Sequence, residues 1–342
     1  MVIPDRPLAL TLGDPAGIGP DIALEAWRAR DTEPIPPFAL LGDPDVMAAR
    51  ARLLGISAPI AVIDDAAQAM ELFAEALPML PIAVSGTVVP GKPNKAAMRA
   101  VQQSIEQAAS IVMKGTARAV VTNPVSKAVL HSAGFNFPGH TEFLGALARE
   151  AGTAPVMMLV AKDLKVVPVT IHIPLKHVPI TLTQDLILAT IETTAADFRR
   201  FFGLLRPRIV VAGLNPHAGE GGTIGREEID IIVPAIERAR RKGLNVHGPF
   251  SADTLFHAEA RQGYDVAIAM YHDQALIPLK TIGFDEGVNV TLGLPFVRTS
   301  PDHGTAFAIA GTGKANPRSL IEALKLAYQM SSFVEVQRGA RR

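Results

Sequence analysis

The sequence contains no cysteine, and this absence excludes several kinds of site at once. Without thiols the chain can form no disulfide, no thiolate metal site and no cysteine nucleophile, so a bound metal must depend on histidine, carboxylate or carbonyl ligands. An excess of charge of one sign is also missing, because 33 Lys and Arg balance 33 Asp and Glu. A chain with no net positive charge is poor material for binding nucleic acid.

Long hydrophobic runs are absent as well. No apolar stretch approaches the roughly 20 residues that cross a bilayer, and the first residues lack the basic and then apolar pattern of a signal peptide. We therefore expect a cytoplasmic protein. Hydrophobic residues still make up 48% of the 342 residues and charged residues 19%, which is enough apolar material for buried cores in two domains or one large domain.

Short apolar blocks alternate with helical patterns along the chain. Seven blocks are typical of buried strands: Leu8–Leu12, Phe38–Leu41, Ala119–Thr122, Val156–Val160, Val166–Ile173, Ile209–Ala212 and Val266–Met270. Three segments have helical spacing: Ala96–Lys114, Leu182–Phe202 and Glu227–Lys242. This alternation predicts right-handed βαβ units and a mostly parallel sheet, hence an α/β protein.

Three of the nine histidines follow predicted strands, and they are His172, His217 and His272. Imidazoles from three strand ends could converge on one divalent cation and leave positions open for a substrate. Each one alone is more often a single hydrogen-bonded histidine, and their spacings match no local ligand motif. The repeated placement, with Asp273 beside His272, favours the metal site.

Polar residues elsewhere are candidates for anion binding. His140 and Thr141 precede a predicted helix, where they could hold a carboxylate or phosphate, although a helix cap explains them equally well. Lys280, Asn289 and Arg298 follow His272 along the chain. Because burying an unpaired guanidinium is expensive, Arg298, which lies in an apolar run, is the hardest to explain as a surface group.

Glycine-rich loops give mixed signals. Gly86–Lys92 matches the first seven positions of a phosphate-binding P-loop, but Pro93 stands where Ser or Thr should bind magnesium, so an ATP site is rejected. No G-x-G-x-x-G occurs, which leaves an ordinary Rossmann site unsupported. The loops Gly13–Pro20 and Arg298–Pro317 could be ordinary turns, but the second is long, polar and carries a histidine, which favours a ligand.

Seven long motifs follow one another along the chain: GDPAGIGP (13–20), VTNPVSK (121–127), PGHTEFL (138–144), GLNPHAGEGG (213–222), GPFSADTLF (248–256), AMYHDQALIPLK (269–280) and GVNVTLGLPFVRTSPDHGTAFAIAGTGKANP (287–317). In this order they resemble the 4-hydroxythreonine-4-phosphate dehydrogenases of pyridoxal phosphate biosynthesis, from about Leu8 to Leu326. The last motif is also similar to the nucleotide loop of isocitrate and isopropylmalate dehydrogenases, whose fold this family shares.

The resemblance implies a fold and an assembly. It implies two α/β/α domains with a cleft between them: 1–130 together with 285–342, which carries both termini and the nucleotide loop, and 131–284, which carries the metal ligands. It also implies a homodimer with shared active sites, in which His272 comes from the opposite chain to His172 and His217.

The resemblance also implies the site residues. The divalent metal, which is Zn, Mg, Mn or Co, is held by His172, His217 and His272. The phosphorylated substrate is contacted by His140, Thr141, Lys280, Asn289 and Arg298. NAD or NADP is bound by His303, Gly304, Thr305, Gly311 and Asn316.

The implied reaction is oxidation of 4-phosphooxy-L-threonine at its C3 hydroxyl, followed by decarboxylation of the β-keto acid. Lys280 is the first candidate for the group that removes the hydroxyl proton, and a water on the metal is the second. Two alternatives stay open. One is a sibling dehydrogenase for another phosphorylated hydroxy acid or a carboxylated cyclic diol, and the other is a phosphate acyltransferase, which needs neither nicotinamide nor a histidine-bound metal.

Overall fold

The computed structural model describes residues 6–132, 143 and 154–340. The chain forms two compact units, Met1–Gly152 with Leu294–Arg342, and Thr153–Gly293. The expected α/β class with two units is confirmed. The boundary expected after residue 284 falls before the strand at 288–292, which pairs within the second unit. The boundary expected after residue 130 stays a prediction.

The described residues contain twelve strands: β1 (Leu8–Thr11), β2 (Phe38–Gly42), β3 (Ile60–Val62), β4 (Leu77–Pro81), β5 (Val120–Val121), β6 (Val156–Ala161), β7 (Leu164–Pro168), β8 (Ile209–Ala212), β9 (Val246–Phe250), β10 (Val266–Ala269), β11 (Val288–Leu292) and β12 (Arg298–Pro301). In the first unit the order is β3-β4-β2-β1-β5-β12, and every pairing is parallel. In the second unit the order is β11-β6-β7-β10-β8-β9, with β6 antiparallel to both of its neighbours and the other pairings parallel.

Helices connect and cover these strands: α1 (Gly19–Arg28), α2 (Pro44–Leu54), α3 (Ala69–Leu72), α4 (Met98–Lys114), α5 (Lys127–Ser132), α6 (Val178–Thr181), α7 (Gln184–Phe201), α8 (Val233–Arg241), α9 (Ala258–Gln262), α10 (His272–Gly283) and α11 (Arg318–Ala340). None of these described helices combines the length and the apolar composition needed to cross a membrane.

Helix α4 shows how the sequence pattern becomes packing. Val101, Ile105 and Ala108 recur at helical spacing and are all buried in the core of the first unit, because residues three and four apart share one face. The helix ends at Gly115, whose φ of 82° is left-handed and favours glycine. Ser104 accepts a hydrogen bond from the Leu12 amide and donates one to the Leu41 carbonyl, which ties the helix to the sheet.

Several predicted boundaries differ from the observed ones. The block Val166–Ile173 forms a strand only as far as Pro168, so His172 lies in the loop beyond β7. The predicted helix 227–242 begins with a π-helical turn, Glu228–Ile232, before α8. Strands β4, β9, β11 and β12 are absent from the prediction because proline, glycine or polar residues interrupt their apolar pattern. Strand β3 is absent because its apolar run is only three residues long.

Glu33 gives a stability prediction for the first unit. Its carboxylate pairs with Lys325 and Arg318 of α11 at 2.6 and 3.0 Å, and Lys325 above all holds the pKa of Glu33 below its ordinary value of 4.5. We expect Glu33→Gln to lower the free energy of unfolding by about 1 kcal/mol at neutral pH. Since the folded pKa is depressed, this contribution is fully present above 4.5 and is lost as the pH falls through the folded pKa.

Urea unfolding at neutral pH and at about pH 3 measures this effect. The exposed Glu75, changed to Gln, is the matched control and should leave the stability nearly unchanged. An equal loss for Glu33→Gln at both pH values would show that the ion pairs are not its cause.

Candidate active site

Three adjacent parallel strands of the second unit are each followed by one of the histidines expected to bind the metal. Strand β10 pairs in parallel with β7 on one side and with β8 on the other, so the three carboxyl ends lie at one edge of the sheet. His172 follows β7, His272 follows β10 and His217 follows β8. We call this group the histidine edge. Its position is the one where ligands bind in open α/β sheets.

The structure brings two of these rings side by side. The ring centroids of His172 and His272 are 5.5 Å apart within one chain, with an angle of 46° between the ring planes. The resemblance implies that His272 joins His172 and His217 from the partner chain, and that assignment stays a prediction. Among the described residues, no three His, Asp or Glu side chains are gathered closely enough to hold a metal ion.

Carboxylates orient two of the three imidazoles. The Nδ1 atom of His217 lies 2.8 Å from Oε2 of Glu220, and Nδ1 of His272 lies 2.7 Å from Oδ1 of Asp273. In each case the hydrogen bond places a proton on Nδ1 and leaves the lone pair of Nε2 for a ligand, which is the usual arrangement of metal-binding histidines. The hydrogen bond and the charge of Glu220 also raise the pKa of His217.

The loop that carries His217 is held in an uncommon backbone conformation. Five consecutive residues, 217–221, have left-handed φ angles between 44° and 78°, and three of them are not glycine. Such a run is costly and persists only where its surroundings fix it.

Glu228, which is 3% exposed, lies beneath this loop. Its Oε1 accepts hydrogen bonds from the amides of Leu214 and Asn215 at 2.8 and 2.7 Å, and its Oε2 accepts one from Nδ2 of Asn215. A Cβ atom on Gly219 would lie 2.5 Å from the same carboxylate, so glycine is needed there. A single buried carboxylate thus shapes the turn that presents His217.

Two further side chains join the three strand ends. Thr170 Oγ1 donates to the Met270 carbonyl at 2.8 Å, which links the loop after β7 to the end of β10. Gln274, which is buried, accepts from the Met270 amide at 2.6 Å and donates to the Gly213 carbonyl at 2.8 Å, which links β10 to β8. Neither Thr170, Gln274 nor Glu228 was selected from the sequence, although Gln274 and Gly213 lie in the quoted motifs.

The remaining expected substrate residues are distributed over both units. Lys280 lies on α10, with its Nζ 5.4 Å from the ring centroid of Phe284, and Asn289 lies on β11, half-buried. Arg298 begins β12 in the first unit, is 5% exposed and donates to Thr122 Oγ1 at 2.6 Å. Its burial lowers the pKa of the guanidinium to about 10, and an anionic ligand would offset that cost. His140 and Thr141 lie outside the described residues.

The expected nucleotide residues lie in one segment between β12 and α11, Asp302–Pro317, which we call the 302–317 segment. His303, Gly304 and Asn316 are exposed, whereas Thr305 and Gly311 are half-buried. Asn316 Oδ1 accepts from the Arg318 amide at 3.0 Å, which leaves its amide NH2 to donate to a ligand. A Cβ on Gly304 would meet nothing within 4 Å, so open space lies beside this backbone. These residues fit a nucleotide.

The family comparison decides between the related dehydrogenases and enzymes that share only the fold. Residues 35–327 match the family described as "Pyridoxal phosphate biosynthetic protein PdxA". The chain belongs to the PdxA family. A relative from Methylorubrum populi, named 4-hydroxythreonine-4-phosphate dehydrogenase, is 56% identical over 336 residues, which cover 97% of this chain and 96% of the relative.

Solved structures of 4-hydroxythreonine-4-phosphate dehydrogenases are also similar to this PdxA-family chain. The crystal structure of a 4-hydroxythreonine-4-phosphate dehydrogenase from Klebsiella pneumoniae matches with a TM-score of 0.85 and 39% identity, over 96% of this chain and 100% of that one. A terephthalate 1,2-cis-dihydrodiol dehydrogenase from Burkholderia xenovorans LB400 matches with a TM-score of 0.64 and 29% identity, over 95% and 98%. A branched-chain phosphotransacylase from Enterococcus faecalis, with a TM-score of 0.54 and 12% identity over 95% and 99%, shares the fold alone.

Glu228 of this PdxA-family chain supplies a prediction about the loop of His217. We expect Glu228→Ala to lower the free energy of unfolding of the second unit by about 2–3 kcal/mol, because the substitution leaves the Leu214 and Asn215 amides without their acceptor. Urea unfolding followed by circular dichroism measures the loss. Glu237→Ala on α8 removes only a long surface ion pair to Arg241 and should cost almost nothing; similar losses in both variants would contradict this role.

Proposed function

We propose that this chain oxidises 4-phosphooxy-L-threonine with NAD or NADP and a divalent metal, giving 2-amino-3-oxo-4-phosphooxybutanoate. This β-keto acid then loses CO2 to give 3-amino-2-oxopropyl phosphate, a step of pyridoxal 5'-phosphate biosynthesis. The observation that carries the proposal is the histidine edge, where His172, His217 and His272 each follow one of three adjacent parallel strands, in a chain whose relatives bear the name of this enzyme.

The donor set fits a divalent cation of borderline softness. Three imidazoles would suit zinc or cobalt, and carboxylates behind two of them strengthen the Nε2 donors. We assign His172, His217 and His272 to this metal, with His272 given by the partner subunit in a homodimer. When bound there, the cation supplies Lewis acidity to the alcohol and to the carbonyl that replaces it.

The side chains of this protein bind the anionic groups of the substrate and move its proton. Arg298, a buried guanidinium, has the planar fork that suits a carboxylate or phosphate. Lys280, in its neutral amine form, is assigned to the C3 hydroxyl and would accept the proton of that hydroxyl when the alcohol is oxidised. Asn289 hydrogen-bonds the substrate, and His140 and Thr141 are assigned to its phosphate.

The cofactor is assigned to the 302–317 segment. His303, Gly304, Thr305, Gly311 and Asn316 would bind the nucleotide, and the exposed imidazole and amide supply hydrogen-bonding groups for it. Holding C3 of the substrate against the nicotinamide would contribute to catalysis, because orientation replaces a bimolecular encounter.

A second candidate is oxidation of a carboxylated cyclic diol, favoured by the 29% identity to the terephthalate dihydrodiol dehydrogenase. It would use the same metal histidines and a different anion pocket. The ratio of kcat/KM for the two substrates distinguishes the candidates. A higher value for the diol than for 4-phosphooxy-L-threonine would overturn our first assignment.

The proposed activity makes a direct prediction. Purified protein with 4-phosphooxy-L-threonine should reduce NAD or NADP, and a chelator should stop the reaction. His217→Ala should abolish bound metal, measured by elemental analysis, and turnover, measured by nicotinamide absorbance, while leaving the protein folded.

The control is His247→Ala. This exposed histidine lies on β9 away from the histidine edge, and its loss should change neither metal content nor rate. Full activity of His217→Ala with the usual metal content would refute the metal assignment. Activity that persists in chelator without nicotinamide reduction would indicate an acyl transfer instead.

The origin of His272 can be tested by mixing subunits. If His272 serves the partner's site, a hybrid of one His217→Ala chain and one His272→Ala chain contains one intact site, because both defects fall in the other. We then expect two inactive variants to regain part of the wild-type activity when they are unfolded together and refolded. No recovery, with hybrids demonstrated by mass spectrometry, would show that all three histidines act within one chain.

A further inference from the structure

The GDPAGIGP loop, Gly13–Pro20, has no part in the proposed function so far, although it is among the most distinctive motifs of the chain. Every residue of this loop is buried, so the loop packs against protein instead of presenting its backbone to solvent. The Ile18 amide donates to the Thr305 carbonyl at 3.0 Å, and a Cβ on Gly17 would lie 2.9 Å from the same oxygen. The loop therefore packs against the 302–317 segment and hydrogen-bonds to its backbone.

Asp21, on the first turn of α1, makes a second connection to this segment. Its Oδ1 accepts a hydrogen bond from the Gly311 amide at 2.7 Å, and its Oδ2 pairs with the guanidinium of Arg50 on α2. The side chains of Asp21 and Arg50 are each only 2% exposed. The connection joins residues that are 290 positions apart in the chain.

Arg50 completes the connection. Its two terminal nitrogens donate to the carbonyls of Gly17 and Pro15, each at 3.0 Å. Burial lowers the pKa of Arg50, and the charge of Asp21 opposes that shift. A buried ion pair is stable only when further hydrogen bonds satisfy both partners, and here the GDPAGIGP loop and Gly311 supply them. We call Asp21 and Arg50, with these partners, the clamp.

The 302–317 segment needs such support because little regular structure holds it. Ala306, Gly311 and Gly313 have φ angles of 40°, 72° and 73°, and one short turn, Phe307–Ile309, interrupts its irregular backbone. Gly311 is also closely packed, since a Cβ there would lie 2.9 Å from Leu53 Cδ2 and 3.0 Å from Pro90 Cβ. A loop that is ordered before binding does not lose that freedom when its ligand arrives.

We propose that Asp21 and Arg50 are positioning residues for the nicotinamide cofactor: the clamp holds Gly311, and through it the 302–317 segment, in the nucleotide-binding conformation. This inference rests on the proposed function, which assigns that segment to the cofactor. Neither residue touches the reacting atoms, so the clamp acts on cofactor affinity and leaves the chemistry at the histidine edge unchanged.

The test uses Asp21→Asn and Arg50→Lys in the full chain. Arg50→Lys keeps the positive charge beside Asp21 and removes the guanidinium that donates to Gly17 and Pro15. It can therefore replace Asp21→Asn as the test if that variant fails to fold. We expect the Kd for NADH or NADPH, measured by calorimetry, to rise about tenfold, as for loss of one charge-assisted hydrogen bond. The KM for 4-phosphooxy-L-threonine, the metal affinity and kcat at saturating cofactor should stay near wild type.

The matched control is Asp265→Asn. It breaks an ion pair with Arg208 in the second unit, and cofactor affinity should not change. An unchanged cofactor Kd in folded Arg50→Lys would overturn the inference. So would a parallel loss of cofactor, substrate and metal affinity, which indicates general destabilisation.

Hydrogen exchange on the wild-type protein without cofactor tests the clamp even if neither variant folds. The Gly311 amide, which donates to buried Asp21, should exchange much more slowly than the amide of exposed Gly313. Equal exchange of the two amides would refute the clamp. A wild-type protein that binds no nicotinamide nucleotide, with Gly311 still protected, would instead refute the proposed function.

Discussion

Parallel pairing of β10 with both β7 and β8 is the constraint on which the histidine edge depends. It turns separations of many tens of residues along the chain into neighbouring positions at one sheet edge. Thr170 and Gln274 then tie the three strand ends together through backbone groups of Met270 and Gly213. Sheet topology and these two polar side chains bring together the strand ends that the histidines follow. The carboxylates beside His217 and His272 orient these two rings.

The sequence allowed the strands beneath this edge to be predicted because they are buried on both faces. Ile209–Ala212 is observed with the predicted bounds, and Val266–Met270 is one residue too long. The strand predicted through Ile173 ends at Pro168 instead. Beyond it, only Val169 and Thr170 continue to bond to β10, so an apolar pattern that persisted to His172 was misleading. Hydrophobicity alone does not show where pairing stops.

The buried polar groups that hold the loops in place could not be predicted from the sequence. Glu228 looks like any acidic residue at the start of an amphipathic helix, and only the fold shows that its carboxylate is buried beneath Leu214 and Asn215. Asp21 and Arg50 are similar, since Gly311, whose amide donates to Asp21, lies near the other end of the chain. Long-range hydrogen bonds of this kind leave no periodic pattern, whereas residue types such as histidine at strand ends carry their chemistry in the sequence itself.

The first unit is built from two separate segments of the chain, which affects how it folds during synthesis on the ribosome. The second unit is one continuous stretch, Thr153–Gly293, whereas the first combines Met1–Gly152 with Leu294–Arg342. The second unit can therefore fold as soon as it emerges. The first must wait, with the edge of β5 that pairs with β12 still uncovered, until β12 has been synthesised. Until then the edge of β5 has unpaired backbone groups that could pair with another chain.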